Sequence, residues 1–275
     1  MQKKLNSNNK MGKDVFIYIL MMIMFGSSFL YRNKSFDNMN ESYIKDYGED
    51  ILTLNEGKEK ISMGTDELEK VIIRVPYIDQ SNGYPTGCEV VSATMILQFW
   101  GYDISVDALI DNYLDISLLE EKEGEFWGEH PSEFFIGDPR SIYSFGCYSN
   151  VIVNAINKVS DEEIIAKDTT GTSIDELIIN YINRGIPVLL WATINLESLQ
   201  NGTEWRLNKN GEIFTWKEKE HCMVLVGYDD KNYYFNDPYE NKGIVAYDKN
   251  LVNTRFVEMG KQSVVITTRK LEVIN

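Results

Sequence analysis

Cys88 sits where a turn-rich stretch gives way to a strongly apolar one, in "QSNGYPTGCEVVSATMILQFWG", residues 80–101. A thiol in the first turn of a helix meets unpaired N–H groups and the positive end of the macrodipole, and both favour the nucleophilic thiolate. Free cysteines usually serve as small packing residues, so a nucleophile needs a base. The chain holds two histidines, His130 and His221. His130 lies in "GEHPSEFF", a polar, loop-like run that reads as exposed. His221 opens "HCMVLVGY", a strand-like run from which an imidazole can face a cleft.

A third group follows from the turn chemistry after that strand. If Asp229–Asn232 reverses the chain, the strand carrying Tyr233–Phe235 returns beside His221 and delivers Asn236 and Asp237 to the same end. A carboxylate or amide there holds the second ring nitrogen and fixes the tautomer, and Pro238 ends the strand. The constellation suits acyl chemistry, which also needs donors for an oxyanion. The Cys88 backbone N–H and the Gln80 side-chain amide are the candidates.

The other thiols read as packing. Strand alternation puts His221, Met223 and Leu225 on one face and Cys222, Val224 and Val226 on the other, away from the imidazole. Cys147, in "FGCYSN", has no base at recognisable spacing. A zinc site from Cys147, Cys222 and His221 lacks any C-x₂-C or H-x₃-H pattern. Three cysteines do not make a disulfide scaffold.

These residues need elements to hold them. Thr86 and Glu89 have the spacing of a capping box, which predicts Thr86 as N-cap of a buried helix that Gly101 ends. Further helices are predicted at Val106–Tyr113, Asn150–Val159 and Ser173–Arg184, the last opened by a Ser173/Glu176 capping box. Strand-like runs occupy Val71–Asp79, Ile186–Ile194, the two arms around Asp229–Asn232, "KGIVAYD" and "SVVITT". Helices come mainly first and strands mainly last, which predicts an α+β fold with an antiparallel sheet.

With 275 residues, 43% of them hydrophobic, the chain can build one substantial core. Its 27 basic and 42 acidic residues leave a net charge of −15, which argues against sequence-independent nucleic-acid binding. Lys3, Lys4, Lys10 and Lys13 precede an apolar run at Val15–Phe25 and small Gly26, Ser27 and Ser28. This is the layout of a signal peptide or N-terminal membrane anchor over residues 1–31, and it predicts an extracytoplasmic location with membrane association through residues 15–31. A polar tether or pro-like segment follows over 32–70, and the main domain spans 71–275.

"VPYIDQSNGYPTGCEVVSATMILQFWGYDISV" and "EHCMVLVGYDDKNYYFNDPY" together resemble the cysteine and histidine motifs of C39-like bacterial cysteine peptidases, in the papain-like superfamily. "GDPRSIYSFGCYSNVIVNAINK" and "GIPVLLWAT" resemble the same family's middle section, so the resemblance covers about Val71 to Thr267. It implies a papain-like α+β fold with the cysteine's helix packed on an antiparallel sheet. It also implies Cys88 as nucleophile, His221 as general base and acid, Asp237 as orienting residue and Gln80 as oxyanion donor. The expected activity is hydrolysis of a peptide or isopeptide bond in a peptide or protein substrate, with no metal or organic cofactor. A thiol acyltransferase and a non-catalytic binding module on the same fold are the alternatives.

Overall fold

The computed structural model describes residues 70–160 and 164–268. The expected leader and nearly all of the tether lie outside the described residues. Among the described residues no helix is long and apolar enough to cross a membrane.

In chain order the strands are β1 (Val71–Ile72), β2 (Ile116–Ser117), β3 (Glu120–Lys122), β4 (Glu125–Gly128), β5 (Phe135–Ile136), β6 (Ile164–Asp168) and β7 (Val188–Thr193). They continue with β8 (Gln200–Leu207), β9 (Ile213–Glu218), β10 (Glu220–Tyr228), β11 (Asn232–Asp237), β12 (Gly243–Asp248) and β13 (Ser263–Thr268). The helices are α1 (Cys88–Phe99), α2 (Val106–Tyr113), α3 (Ser149–Val159), α4 (Ile174–Asn180) and α5 (Lys249–Glu258).

The main sheet runs β12-β11-β10-β7-β13-β6, with β1 paired to β10, and every pairing in it is antiparallel. All six residues of β7 and the first eight of β10 are buried, as expected of centre strands covered on both faces. Helix α1 packs against β10, and the Ser92 hydroxyl donates to the Cys222 carbonyl at 3.1 Å. Ten of the twelve α1 residues are buried, Val90, Val91, Ala93, Met95, Ile96 and Leu97 completely. The architecture is therefore mixed helix and antiparallel sheet, as the order of elements predicts.

Local signals place several elements well. Helix α2 has the predicted bounds, with Ser105 accepting from the Ala108 N–H. The Ser173/Glu176 capping box forms in full at α4. The turn after β10 also forms, with the Asp229 carboxylate accepting from the Lys231 and Asn232 N–H groups.

Two expectations need correction. Thr86 does not cap α1: the N-cap is Gly87, without a side-chain cap bond, and the Thr86 hydroxyl donates to the Ser141 carbonyl at 3.0 Å. Glu89 cannot close the box because its side chain is buried in the core. The strand expected over Val71–Asp79 is only Val71–Ile72, extended by one bond from the Ile73 N–H to Val226. Pro76 has no N–H to give, and Asp79 is already turning the chain by accepting from the Ser81 N–H.

A second sheet, β3-β4-β8-β9, and the parallel pair β2-β5 are elements that the hydrophobic pattern does not announce. Ile136, Trp205 and Trp216 form the small core beneath them, with Phe145, Tyr148 and Phe214 packed around it. His130 belongs to this cluster: its ring meets Phe214 at 4.8 Å, and its Nδ1 accepts from the Ser132 N–H. It is half-buried among aromatics rather than exposed, and burial holds its pKa below the usual imidazole range.

Candidate active site

Strands β10 and β11 bring His221 and Asp237 together. Met223 lies one step beyond the Val224↔Asn236 pairing, so Asp237 reaches diagonally to His221 across the ladder. His221 Nε2 is 2.7 Å from Asp237 Oδ1, with His221 1% exposed and Asp237 fully buried. Asp237 Oδ1 also accepts from the Tyr239 N–H at 2.9 Å, and Oδ2 accepts from the Tyr247 hydroxyl at 2.7 Å. Lys242 Nζ stands 3.9 Å from Oδ2. Burial alone would raise the Asp237 pKa, but the bonds from His221, Tyr247 and the Tyr239 N–H outweigh it and hold the carboxyl below its ordinary value.

Asn236, its neighbour, is not available to the imidazole. Its amide nitrogen donates to the Val75 carbonyl at 3.1 Å, which ties β11 to the segment leading toward Gln80. Gln80 is 4% exposed, and its N–H donates to the Pro238 carbonyl at 2.9 Å, next to Asp237. The side-chain Nε2 donates one hydrogen to the Pro85 carbonyl at 3.2 Å, and the second has no partner among the described residues. Gln80 is thereby fixed beside the histidine end of the site. No sequence motif points to Tyr247 and Lys242; their only signal is a place on, or just ahead of, the strand that follows "NDP".

Cys88 is the first residue of α1, and α1 lies on β10, the strand that carries His221. Its surroundings differ from the thiolate-favouring ones expected at a helix start. The thiol donates to Glu89 Oε2 at 3.3 Å, and among the described residues no hydrogen bond joins it to His221. Burial, then the Glu89 and Glu220 carboxylates, push the Cys88 pKa well above the ordinary thiol value, although the Cys222 N–H pulls the other way. Burial, with two neighbouring acids adding to it, outweighs the dipole of a helix end. Cys222 also lies closer to Cys88 than strand alternation suggests, through its backbone.

Cys147 is completely buried, with its N–H donating to Glu89 Oε1 at 2.6 Å and its carbonyl accepting from Trp191 Nε1 at 3.1 Å. All three cysteines are free thiols. A cavity of about 400 Å³ lined by His130, Tyr148, Ser149, Lys217, Glu258 and Gln262 contains none of Cys88, His221, Asp237 or Gln80.

Comparison with known proteins gives the arrangement its context. An uncharacterized protein of Bacillus subtilis, YvpB, is 31% identical over 183 residues, covering 66% of this chain and 68% of its own. The crystal structure of a C39-like peptidase from Bacillus anthracis superposes with a TM-score of 0.64 at 28% identity, covering 73% of this chain and 98% of the other. The model of the Peptidase C39 like family matches residues 72–264, which hold every residue of the site, and the chain belongs to that family.

Proposed function

We propose that this protein is a cysteine peptidase of papain-like fold that cleaves peptide or isopeptide bonds through a Cys88 acyl-enzyme. The observation that carries the reading is the buried His221–Asp237 bond of 2.7 Å on the strand against which the Cys88 helix packs. With Nε2 committed to Asp237, Nδ1 is the ring nitrogen left to move a proton. His221 Nδ1 takes the Cys88 thiol proton as the sulfur attacks the scissile carbonyl. The oxyanion accepts from the Cys88 N–H and the second Gln80 amide hydrogen. The imidazolium then protonates the leaving amine, and water, deprotonated by the same ring, releases the acid and restores the thiol. Asp237 stabilises the imidazolium throughout.

The substrate reading is a peptide or protein met outside the cytoplasm, with residues 15–31 as signal or anchor and no nucleic-acid partner. The Cys88–Glu89 bond favours a second reading, a binding module on the same fold, because a thiol held by a carboxylate is a resting thiol. Incubation of the full chain with a peptide library, read by mass spectrometry, separates the two. New termini from the wild type that vanish in Cys88→Ala support the peptidase. Retention of peptides without cleavage sinks it in favour of the binding module.

A further inference from the structure

Around the nucleophile lies a second constellation, two of whose members, Glu89 and Glu220, the acyl chemistry does not use. The Cys88 sulfur and one carboxylate oxygen from each of Glu89 and Glu220 all lie within 4.8 Å of one another. All three residues are buried: Cys88 is 5% exposed, Glu89 fully enclosed and Glu220 7% exposed. Glu220 Oε1 has no hydrogen-bond partner among the described residues. Nor does any Lys, Arg or His among the described residues pair with either glutamate. Three potential anions thus share one small volume without a counter-charge, and one oxygen is unsatisfied. Gly146 closes over them so tightly that a Cβ there would stand 2.3 Å from Glu89 Oε1 and 3.1 Å from Glu220 Oε2.

We infer that Cys88, Glu89 and Glu220 form a binding site for a thiophilic divalent cation of the zinc class, whose occupation takes the nucleophile out of use. The donor set is one thiolate and two carboxylates, with the fourth position open to water. Tetrahedral bonds of ordinary length need neighbouring donor atoms about 3.5 Å apart, so the present spread closes by roughly 1 Å through side-chain rotation. The cation displaces the thiol proton of Cys88 and any proton held between the two carboxyls, so binding releases protons to solvent. Glu220 Oε1 gains the partner it lacks. The inhibitory consequence rests on Cys88 being the nucleophile, whereas the site itself does not.

The test is titration of the full chain with Cd²⁺, followed by the ultraviolet sulfur-to-cadmium charge-transfer band, in wild type, Cys88→Ser, Glu220→Gln and Glu89→Gln. The expected result is a saturable band with one equivalent bound, absent in Cys88→Ser, and a Kd raised at least about tenfold in Glu220→Gln. Peptide cleavage then falls as the band grows and returns on adding a chelator. Circular dichroism reports whether Glu220→Gln folds, and Glu89→Gln carries the same expectation if it does not. No saturable band, or an unchanged Kd in both glutamine variants, overturns the inference and leaves a pair neutralised by protons alone. A metal-stripped wild type that cleaves nothing, yet binds Cd²⁺ as expected once the chelator is removed, sinks the peptidase reading and leaves the metal site standing.

Discussion

Two buried acidic centres meet the start of β10, one at Glu220 and the other at His221, and they have opposite characters. Asp237 is fully enclosed, yet three donors converge on its two oxygens and hold it ionised. Glu89 and Glu220 are similarly enclosed, but they face each other and the Cys88 thiol; the Cys147 N–H, the Glu89 N–H and that thiol all serve Glu89, while Glu220 Oε1 has no partner among the described residues. Burial pushes the Glu89 pKa up to about 7 and that of Glu220 well above its ordinary value. The desolvation cost has the same origin in both places, so the sign is decided by what faces each carboxyl: three donors, an imidazole among them, on the two oxygens of Asp237, against three donors and a second acid on the four oxygens of the pair. One centre is built to carry charge beside a histidine and the other to hold protons, or a cation, beside a sulfur.

The strongest way to break this contrast is at the histidine. In a Cys–His peptidase, His221→Ala removes the proton carrier and lowers kcat/KM by about 10²–10⁴-fold, read from steady-state cleavage of whichever peptide the wild type accepts. Asp237→Asn keeps an acceptor for Nε2–H and loses less than Asp237→Ala, which also strands the Tyr247 hydroxyl. Equal losses in the two Asp237 variants would mean that the carboxylate's charge, rather than its place as acceptor, is what the ring needs.

The pH dependence of stability sharpens the contrast next, because the two centres act with opposite signs. The Asp237 pKa is lowered by folding, so its contribution is present above the unfolded value of about 3.9 and is lost as pH falls through the folded value. The Glu89 pKa is raised, so its contribution is present below the unfolded value of about 4.3 and is lost as pH rises through about 7. That loss is on the order of 3 kcal/mol for a fully buried acid. With chelator present, the urea midpoint of the wild type should fall between pH 5 and pH 8. In Glu89→Gln the fall should shrink, because the amide keeps an acceptor for the Cys147 N–H and offers Glu220 a donor. Identical slopes in the two proteins would show that the acid pair is not the source.

Tyr247→Phe probes the donor count at Asp237 alone. Removing a hydroxyl that bonds a buried carboxylate costs about 2 kcal/mol and moves the Asp237 pKa upward, so acid unfolding begins at higher pH. Thermal melts from pH 3 to pH 6 read both effects. A variant as acid-resistant as the wild type would place the lowering on His221 and the Tyr239 N–H alone.

Much of the site is legible in the amino-acid sequence because its signals are local. Hydrophobic strand runs and the Asp229–Asn232 turn place His221 beside the NDP segment, and α2 has the predicted bounds Val106–Tyr113. What the sequence hides depends on partners distant along the chain. Asn236 and Asp237 are equally plausible until register is fixed, and only the bonds from Asn236 to Val75 and from Asp237 to His221 separate them. Glu89 reads as a helix-capping residue, since nothing local announces that Glu220 and the Cys147 N–H stand beside it in the core. Strands β8 and β9 bury only Trp205 and Trp216 among mostly polar neighbours, so neither presents an apolar face long enough to recognise.

The smallest effect tests the same lesson at two helix starts with one sequence signal. Ser173-x-x-Glu176 and Thr86-x-x-Glu89 share the capping-box pattern, but only the first forms, with the Ser173 hydroxyl accepting from the Glu176 N–H and Glu176 returning to the Ser173 N–H. Ser173→Ala should cost about 1 kcal/mol, the ordinary value of a lost N-cap. Thr86→Ser should cost less, since the serine keeps a hydroxyl for the Ser141 carbonyl and no cap is lost. Thr86→Ala loses only the hydroxyl's contacts to the Asp138, Pro139 and Ser141 carbonyls, so its effect should be confined to that loop and leave the amide exchange of α1 unchanged. Faster exchange at the first turn of α1 in Thr86→Ala would show that Thr86 supports the helix start after all, and that Glu89 alone departs from the pattern.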